Sequence, residues 1–542
     1  MTKSKGNPTK TSFLNEWGVL LVMGLASFIL VLDTSMMNVA ISAIVNDLGT
    51  TVSGVQSAIT IYALVMAAFM LLGGKLGDIY GMKKTFVVGM IFYGIGTLTA
   101  ALTPNLVILI IGWSVIEGVG AAFVLPMTIT MLALKYSGKK LAMGFGVIGG
   151  VQAAGAAVGP IFGGFMTSYF SWRLAFASEA VIVAIIFALL FVLPDSEKMK
   201  GVKVDWLGAA LSALGLATIV LGIILSSHYG WVMAKRPFTI GNIAINPLGL
   251  SITPVLIVFG LGLLFIFLHW EQRLEKAGKM PLLHVGMLKN GLLMAGVIVG
   301  GILNIILGGM MFTTPLFLQS ALGYDAMQSG IALLPMSIGI FIFALATSGL
   351  GQKFSPKYII MVGLGFVSIG VLVLYRTISL EMRSADMIVG FLIFGMGTGL
   401  ILAQITNVTL SSVPDEENNE ASGINYTFRQ LGTSMGTAVI GAVLLSTVLL
   451  SQVSGLLDAH NLDIPLTDVR QLSVVMEDSI QAMEPVELQE MIEAMPAETT
   501  SALTQISLDA WVRAEKVALI ATLFTALLCM GAASFLSDER LG

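Results

Sequence analysis

GVLLVMGLASFILVLDTSMMNVAISAIV, residues 18–45, is the first long apolar stretch of the chain, and Asp33 is its only charged residue. An α-helix needs about 20 apolar residues to cross the hydrocarbon core of a bilayer, and this stretch is longer. It therefore predicts a membrane-spanning helix that carries a carboxylate close to its middle. A charged group at that depth costs free energy, so ionisable residues inside spans usually serve a function.

The composition of the whole chain extends this prediction. Of its 542 residues, 56% are hydrophobic and only 11% are charged, with a mean hydropathy of +0.91. Soluble globular proteins carry roughly 25% charged residues, so most of this protein's surface should face lipid. The net charge of −4 gives no indication of a nucleic-acid partner, and the single cysteine, Cys529, excludes an intramolecular disulfide.

Repeated apolar runs of this length predict an all-α, polytopic membrane protein with fourteen transmembrane helices. The first run is a full span rather than a short segment before a small-residue cleavage site, so we expect this helix to be retained. The predicted spans are 18–45, 53–74, 85–103, 106–134, 141–168, 174–193, 206–226, 249–270, 291–318, 327–350, 357–375, 387–412, 420–450 and 514–537.

The distribution of basic residues predicts the orientation. With the N-terminus inside, the cytoplasmic segments hold nineteen Lys and Arg and the outer segments hold eight, while Arg429 remains inside a span. An excess of Lys and Arg marks the cytoplasmic side of membrane proteins. We therefore expect a multi-pass protein of the cell membrane with both termini in the cytoplasm.

Loop lengths predict a division into six, two and six helices. Two longer, Lys-rich inner loops, 194–205 and 270–291, separate the three groups. The predicted units are an N-terminal six-helix bundle at 1–194, two extra linker helices at 195–287, and a C-terminal six-helix bundle at 288–542.

The outer loop 451–513 belongs to the last unit and holds eleven acidic residues. Apolar residues at helical spacing within it predict a small helical hairpin outside the membrane. This hairpin is either a solvated cap or an acidic face that gathers cations at the entrance.

The loop between spans two and three, GGKLGDIYGMKK at 73–84, resembles the cytoplasmic signature G-x-L-x-D-R-x-G-R-K of the major facilitator superfamily. Its glycines permit a tight turn, and its basic residues stay on the inner side. Ile79 and Met82 stand where the family usually has arginine. The resemblance implies an inter-domain latch formed by Gly74, Asp78, Gly81 and Lys83.

Span five contains GVQAAGAAVGPIFGGF, residues 150–165, which resembles the family's antiporter signature G-x-x-x-G-P-x-x-G-G. Glycines four residues apart share one helix face and allow close contact with a neighbour, while a proline bends the helix. The matching residues are Gly155, Gly159, Pro160, Gly163 and Gly164. The family uses this motif in exporters driven by proton exchange, so the resemblance implies antiport.

The opening stretch adds a third motif, because LDTSMMNVAI at 32–41 resembles the first span of the fourteen-span drug:proton antiporters. The stretches 205–208, 315–335 and 421–436 are also similar to that family. The resemblance implies the major facilitator fold with 6+2+6 helices. It further implies a proton-coupled exporter of amphipathic, cationic drugs or toxic compounds.

Two acids of the first bundle are expected at similar depth. Asp33 lies about twelve residues, or ~18 Å, from the outer end of span one, and Glu117 lies about eleven residues, or ~17 Å, from the outer end of span four. The family places both spans around a central cavity. A carboxylate pair in a low-dielectric cavity tends to hold protons, so protons and a cationic substrate could compete for it.

The span-four pattern of the family, R-x-x-Q-G, is altered here, since Ser114 and Glu117 replace its Arg and Gln. We therefore expect Arg429 to supply the missing positive charge from the other half, or else to pair structurally with Glu420 or with helix-end carbonyls. Glu179 is a further candidate for the site, or else it reaches the outer interface and pairs with Arg173 or water.

The sequence contains no catalytic constellation and no phosphate-binding Lys motif, so we expect a transporter that is not an enzyme and needs no cofactor or metal. The expected partners are a small amphipathic substrate, protons and membrane lipids, without nucleic acid, and we expect a monomer. The alternative function is proton-coupled export of an endogenous metabolite, lipid or antibiotic. A uniporter or importer is disfavoured by the antiporter signature.

Overall fold

Long helices make up nearly all of the protein that a computed structural model describes. Thirteen of the described helices are long and apolar enough to cross a membrane. The all-helical membrane architecture expected from the sequence is therefore confirmed. The described residues are 13–195, 204–234, 238–240, 243–245, 249–350, 354–414, 418–459, 469, 472–473 and 496–536.

The first half contains eight helices, and a π-helical segment at Ile110–Glu117 joins two of them into one span. The segment predicted as span six is helical over only 17 residues and is followed by a 3₁₀ turn, Leu190–Val192. The helices are α1 Phe13–Val39, α2 Ile41–Leu48, α3 Val52–Tyr80, α4 Met82–Ala101, α5 Leu106–Leu109, α6 Gly118–Lys135, α7 Gly138–Tyr169 and α8 Trp172–Ala188.

The rest of the chain adds eight helices and one short hairpin, in which Phe238 pairs with Ile245 in antiparallel register. This hairpin lies in the connection between the predicted spans seven and eight. The elements are α9 Trp206–Tyr229, β1 Phe238–Ile240, β2 Ile243–Ile245, α10 Ile252–Lys276, α11 Gly291–Leu322, α12 Ala326–Leu350, α13 Pro356–Thr377, α14 Ile388–Ser411, α15 Asn418–Ala459 and α16 Ala497–Ala533.

The outer loop is shorter than the sequence predicts, because both of its ends continue as helix. α15 extends to Ala459 and α16 begins at Ala497, whereas the loop was expected to span 451–513. Polar residues at 497–513 do not stop the helix, because a helix that leaves the membrane no longer needs apolar side chains. The hairpin predicted within 469–495 lies almost wholly outside the described residues.

Local sequence signals explain several helix boundaries. Thr51, Asn105 and Ser355 each accept a hydrogen bond from the backbone N–H three residues later. Such caps satisfy donors that the first helical turn leaves free. Between α3 and α4 the chain turns at Gly81, whose φ of 99° is strained for residues with a side chain.

Two large hydrophobic cores and two smaller clusters hold the described part of the molecule together. The first is centred on α1, α3, α4 and α6 and includes Met23, Met70 and Trp113. The second lies among α11–α14 and α16 and includes Phe317, Phe391 and Phe394. α3 packs along α15 and α7 packs along α12, so these two helix pairs join the halves, while α9 and α10 pack on each other. The division into three units at 194 and 287 stays a prediction.

Candidate functional site

Three carboxyl groups meet inside the N-terminal half. Asp33 comes from α1, Glu117 from the end of the π-helical segment, and Glu179 from α8. One carboxylate oxygen from each lies within 4.8 Å of the others, and all three residues are fully buried. We call these three residues the acidic triad. The structure thus places Asp33 and Glu117 together, as their expected depth predicts, and adds Glu179.

An aromatic pair holds Asp33. The indole Nε1 of Trp113 donates to both carboxylate oxygens of Asp33, at 3.0 and 3.1 Å. The ring of Tyr62 stacks on this indole with centroids 4.6 Å apart. The Tyr62 hydroxyl is buried and has no hydrogen-bond partner among the described residues. One face of the triad is therefore covered by aromatic rings rather than by water.

Glu117 depends on a close approach between α4 and the π-helical segment. Thr97 Oγ1 donates to Glu117 Oε2 at 3.0 Å, while Glu117 Oε1 is buried without a partner in the described structure. A methyl group added at Gly96 would collide with Glu117 Cβ. π-helical turns are rare and are found mainly at functional sites, where they reposition side chains.

Glu179 is bound by a tyrosine of α4. Tyr93 Oη donates to Glu179 Oε2 at 2.8 Å, and Glu179 Oε1 has no partner among the described atoms. The alternative pairing of Glu179 with Arg173 is wrong. Arg173 instead pairs with Asp47 and donates to the carbonyl of Thr103. It lies almost two turns nearer the start of α8 than Glu179 does.

Among the residues that the structure describes, the triad has no basic partner. Within the described parts of the chain, no Lys, Arg or His forms an ion pair with any of its three residues. Burial of even one unpaired charge is costly, and three charges this close would also repel one another. A proton or a small cation must therefore accompany the triad, whose oxygens could ligate either.

Arg429 lies on α15, and its guanidinium carbon is 5.3 Å from the centroid of the Tyr426 ring. Among the described ion pairs, none joins it to Asp33, Glu117 or Glu179. It does not pair with Glu420 either, since Glu420 binds the backbone N–H and the ring Nδ1 of His284. The structure therefore does not bring Arg429 into the triad.

The latch residues surround the turn between α3 and α4. Lys83 Nζ donates to the carbonyl of Leu193 at 3.0 Å and lies 3.8 Å from Asp195. Space around Gly74 is open, and Asp78 is half-buried near the end of α3. Lys83 thus connects this turn to the segment that follows α8, and the role of latch stays a prediction.

The antiporter motif forms two close helix contacts. A methyl group added at Gly155 would lie 3.0 Å from the carbonyl of Phe28, and one at Gly163 would lie 2.5 Å from Met36 Cβ. Gly159 faces Ser35 in the same way. These three glycines therefore let α7 pack directly on α1, the helix that carries Asp33.

The other face of the motif contacts the second half of the molecule. A methyl group at Gly164 would lie 2.5 Å from the carbonyl of Ala326, and Pro160 faces Gly330 at close range. The motif thus connects α1 of the first half with α12 of the second half.

Sequence reasoning missed the residues that hold the triad, namely Trp113, Tyr62, Tyr93 and Thr97. Tyr93 and Thr97 are four residues apart on α4, so they share one helix face. Two polar side chains at that spacing inside a predicted span are a signal that could have identified them. Trp113 lies four residues before Glu117, but its contact with Asp33 depends on helix packing and has no local signal.

Comparisons with known proteins agree with this architecture. The family model of the Major Facilitator Superfamily matches residues 23–437. The probable actinorhodin transporter of Streptomyces coelicolor is 28% identical over 440 residues, which cover 80% of this chain and 73% of the relative. The tetracenomycin C resistance and export protein of Streptomyces glaucescens is 27% identical, with 80% and 76% covered. The multidrug resistance protein Stp of Mycobacterium tuberculosis is 25% identical, with 86% and 82% covered.

Solved structures show the same fold. The crystal structure of a bacterial homologue of the human lysosomal transporter Spinster, in an inward-facing and occupied conformation, has a TM-score of 0.61 at 13% identity. The similarity covers 98% of this chain and 100% of that one. With its apolar helices and a family match from residue 23 to residue 437, the chain belongs to the Major Facilitator Superfamily and is a multi-pass membrane transporter.

Proposed function

We propose that this protein is a proton-coupled exporter of amphipathic, cationic drugs or toxic compounds, from the fourteen-span drug:proton antiporter branch of its superfamily. It lies in the cell membrane with both termini in the cytoplasm and fourteen helices in a 6+2+6 order. Protons move inward through the acidic triad while the substrate moves outward.

The observation that carries this proposal is the fully buried triad without a basic partner. A site of this kind changes its charge when it exchanges protons with water on one side of the membrane. Because an unpaired buried charge is costly, the conformation that seals the triad requires bound protons. Loss of those protons favours a conformation that is open to water or to a cationic substrate.

The negative charge of the triad also explains why protons are exchanged for substrate instead of leaking through the protein. A cationic substrate and the protons can each neutralise the triad, so the binding of one favours the release of the other. Rocking of the two halves around a site near the middle of the membrane then gives alternating access.

Two further findings support export. The glycine motif on α7 resembles the antiporter signature and packs against the helix of Asp33. The names of the tetracenomycin C resistance and export protein and of the multidrug resistance protein Stp refer to export or resistance.

The decisive experiment measures dye export from inside-out membrane vesicles with and without a pH gradient, for the wild type and for Asp33→Asn, Glu117→Gln and Glu179→Gln. We expect gradient-driven accumulation of a lipophilic cation in wild-type vesicles, and a loss of at least tenfold in each variant. Glu381→Gln is the matched control, because Glu381 is an exposed acid outside the predicted spans and should leave transport unchanged.

Proton-driven transport that survives neutralisation of all three acids would refute the proposal. Loss of transport in the Glu381 variant as well would show that any lost acid disturbs the protein, and the triad would have no special role.

A second candidate is proton-coupled export of an endogenous metabolite, lipid or antibiotic. It is favoured by the names of two relatives, which refer to actinorhodin and tetracenomycin C. The same vesicles distinguish the two candidates. Proton release that follows a neutral polyaromatic compound, but not a panel of cationic dyes, would favour the second.

A further inference from the structure

Among the described residues, two further buried carboxyl groups lie outside the triad, Glu271 of α10 and Glu515 of the last helix, and Glu515 is the one in the C-terminal half. Glu515 of α16 is 1% exposed, and it is the only acid that is buried between residues 291 and 533 in the described part of the chain. It does not belong to the group of oxygens that forms the triad. Neither the latch, nor the antiporter motif, nor the proposed exchange at the triad uses it.

The immediate surroundings of Glu515 are only half satisfied. Thr314 Oγ1 on α11 donates to Glu515 Oε1 at 3.2 Å. Glu515 Oε2 is buried and has no partner among the described atoms. Thr313 and Thr314 are each 1% exposed, so this pocket of polar atoms is sealed within apolar helices. An unpaired carboxylate in such a position is costly unless a proton or an ion is bound.

No neighbouring base neutralises Glu515. α16 packs on α11, α13 and α15, and α11 contains no ionisable residue. On α13 the nearby groups are Tyr375 and Arg376, and Lys516 lies over the Tyr375 ring with its Nζ 5.8 Å from the centroid. Near the C-terminal end of α15 the acid is Asp458, which is exposed. On α16 itself, Asp509 and Arg513 precede Glu515, and none of these described groups forms an ion pair with it.

Glu515 also lies where the two cores meet. Ala514 and Ala518 belong to the first core, which also includes Leu316 of α11 and Leu444 of α15, whereas Leu519 belongs to the second core. Trp511, one turn earlier, contacts both cores. α16 itself packs on α11, α13 and α15 of the C-terminal half, and α15 in turn packs along α3 of the N-terminal half. The contact between α3 and α15 is therefore one packing layer away from this carboxyl group.

From this geometry we propose that Glu515 and Thr314 form a second proton-binding site, separate from the triad, within the C-terminal half. The site is protonated while α11 and α16 enclose it, and it exchanges its proton with water when these two helices shift during the transport cycle. This inference deepens the proposed function, because it assigns a second proton to the same transport cycle.

The test is infrared spectroscopy of the purified full-length protein in lipid nanodiscs, with isotope-labelled glutamate, titrated with pH in sodium-free buffer. The C=O stretch of protonated glutamate reports bound protons directly and needs no transport. We expect Glu515→Gln to remove one protonated-glutamate signal from the wild-type spectrum. Asp509→Asn is the matched control, because this exposed acid of the same helix should leave every signal in place.

A second pair of variants keeps the test valid if Glu515→Gln fails to fold. Thr314→Val removes the hydroxyl that donates to Glu515 and should shift the frequency of the same signal, whereas Thr314→Ser should restore it. If neither Glu515→Gln nor Thr314→Val changes any glutamate signal, Glu515 does not bind a proton and the proposal is wrong. A signal that disappears on addition of sodium at constant pH would assign the site to sodium and would also overturn it.

The two proposals fail in different ways. If wild-type vesicles show no proton-driven export while Glu515→Gln still removes its signal, the proposed function fails and the second proton site stands. If export depends on the triad but Glu515→Gln changes neither the spectrum nor the pH dependence of export, only the second site fails.

Discussion

At the level of single residues, the hydroxyl and indole donors around the triad distinguish this site from a chance group of acids. Trp113, Thr97 and Tyr93 each direct one donor at one acid. Each acid is therefore held in place from outside the triad. Because Glu117 and Glu179 each keep one oxygen unbound, a proton can be accommodated on either of them.

Thr97→Val provides a test of this arrangement. The valine has nearly the same shape as threonine but cannot donate to Glu117 Oε2. A hydrogen bond to a charged group contributes about 1.5–3 kcal/mol, and 1.4 kcal/mol corresponds to a factor of ten. We therefore expect proton-driven export to fall about tenfold or more in vesicles, with protein levels close to those of the wild type.

Thr97→Ser is the control for this prediction, since serine keeps the hydroxyl and should retain most of the transport. Equal activity of the valine and serine variants would mean that the hydrogen bond does not matter for export.

At the level of elements, two helices position the triad in different ways. The π-helical segment turns Glu117 towards α4, and this contact is possible only because residue 96 is glycine. α7 does not contribute an acid, but its glycines support α1, and Asp33 lies in the part of α1 that they contact. The motif is therefore a packing element as well as a point of contact with α12.

Gly163→Ala should disturb this packing. The added methyl group would lie 2.5 Å from Met36 Cβ and 2.8 Å from Met36 Cα, so α1 has to move. Overpacking of this kind typically costs about 1–3 kcal/mol. We expect a lower thermal unfolding temperature of the purified protein and reduced export.

Gly149→Ala on the same helix is the matched control, because nothing lies within 4 Å of a methyl group there. Replacement of a helical glycine by alanine in open space gains about 0.5–1 kcal/mol. A stability loss of similar size in both variants would contradict the packing role of Gly163.

At the level of the whole molecule, the two halves meet along α3 with α15 and α7 with α12. At the ends of α7 and α12 that we assign to the outer side, Ser168 Oγ accepts a hydrogen bond from Met327 N at 3.1 Å. Gln56 of α3 donates to the carbonyl of Thr437 on α15 at 2.6 Å. The structure therefore has the two halves in contact at these helix ends, which we propose to face outward.

A reversible cross-link at this contact should stop the transport cycle. Ser168→Cys and Met327→Cys, in a Cys529→Ala background, place two cysteines at this contact, where Ser168 Oγ lies 3.1 Å from the backbone N of Met327. We expect oxidation to abolish nearly all export, because the outer side can no longer open, and reduction to restore it. Disulfide formation is checked by gel mobility after proteolysis between residues 169 and 326.

The control pair lies within the C-terminal half of the molecule. A Cβ added at Gly455 of α15 would lie 3.6 Å from Ile506 Cβ on α16, which fits a disulfide, and a cross-link between cysteines at these positions should leave export intact. Unchanged export after complete formation of the Ser168–Met327 cross-link would show that the halves need not separate there.

Long apolar runs predicted the membrane-spanning helices, because every helix that crosses the bilayer must be apolar over about the same length. The end of α15 at 459 and the start of α16 at 497 were not predicted, since a helix that extends into water does not need a continuous apolar run. The membership of Glu179 in the triad was uncertain from the sequence, because Arg173 lies close to it along the chain but not in space. Glu515 was not recognised as a site, because it lies next to the predicted start of its span.

The sequence by itself determined that the chain crosses the membrane many times, that acids lie within its spans, and that its motifs resemble the major facilitator superfamily. These properties depend on local composition and spacing, which a single segment carries. Only the tertiary structure decided that Asp33, Glu117 and Glu179 share one site, that Arg429 lies elsewhere, and that Glu515 faces Thr314. The reason is that these side-chain contacts depend on how helices far apart in the chain rotate and pack against one another, which no single segment specifies.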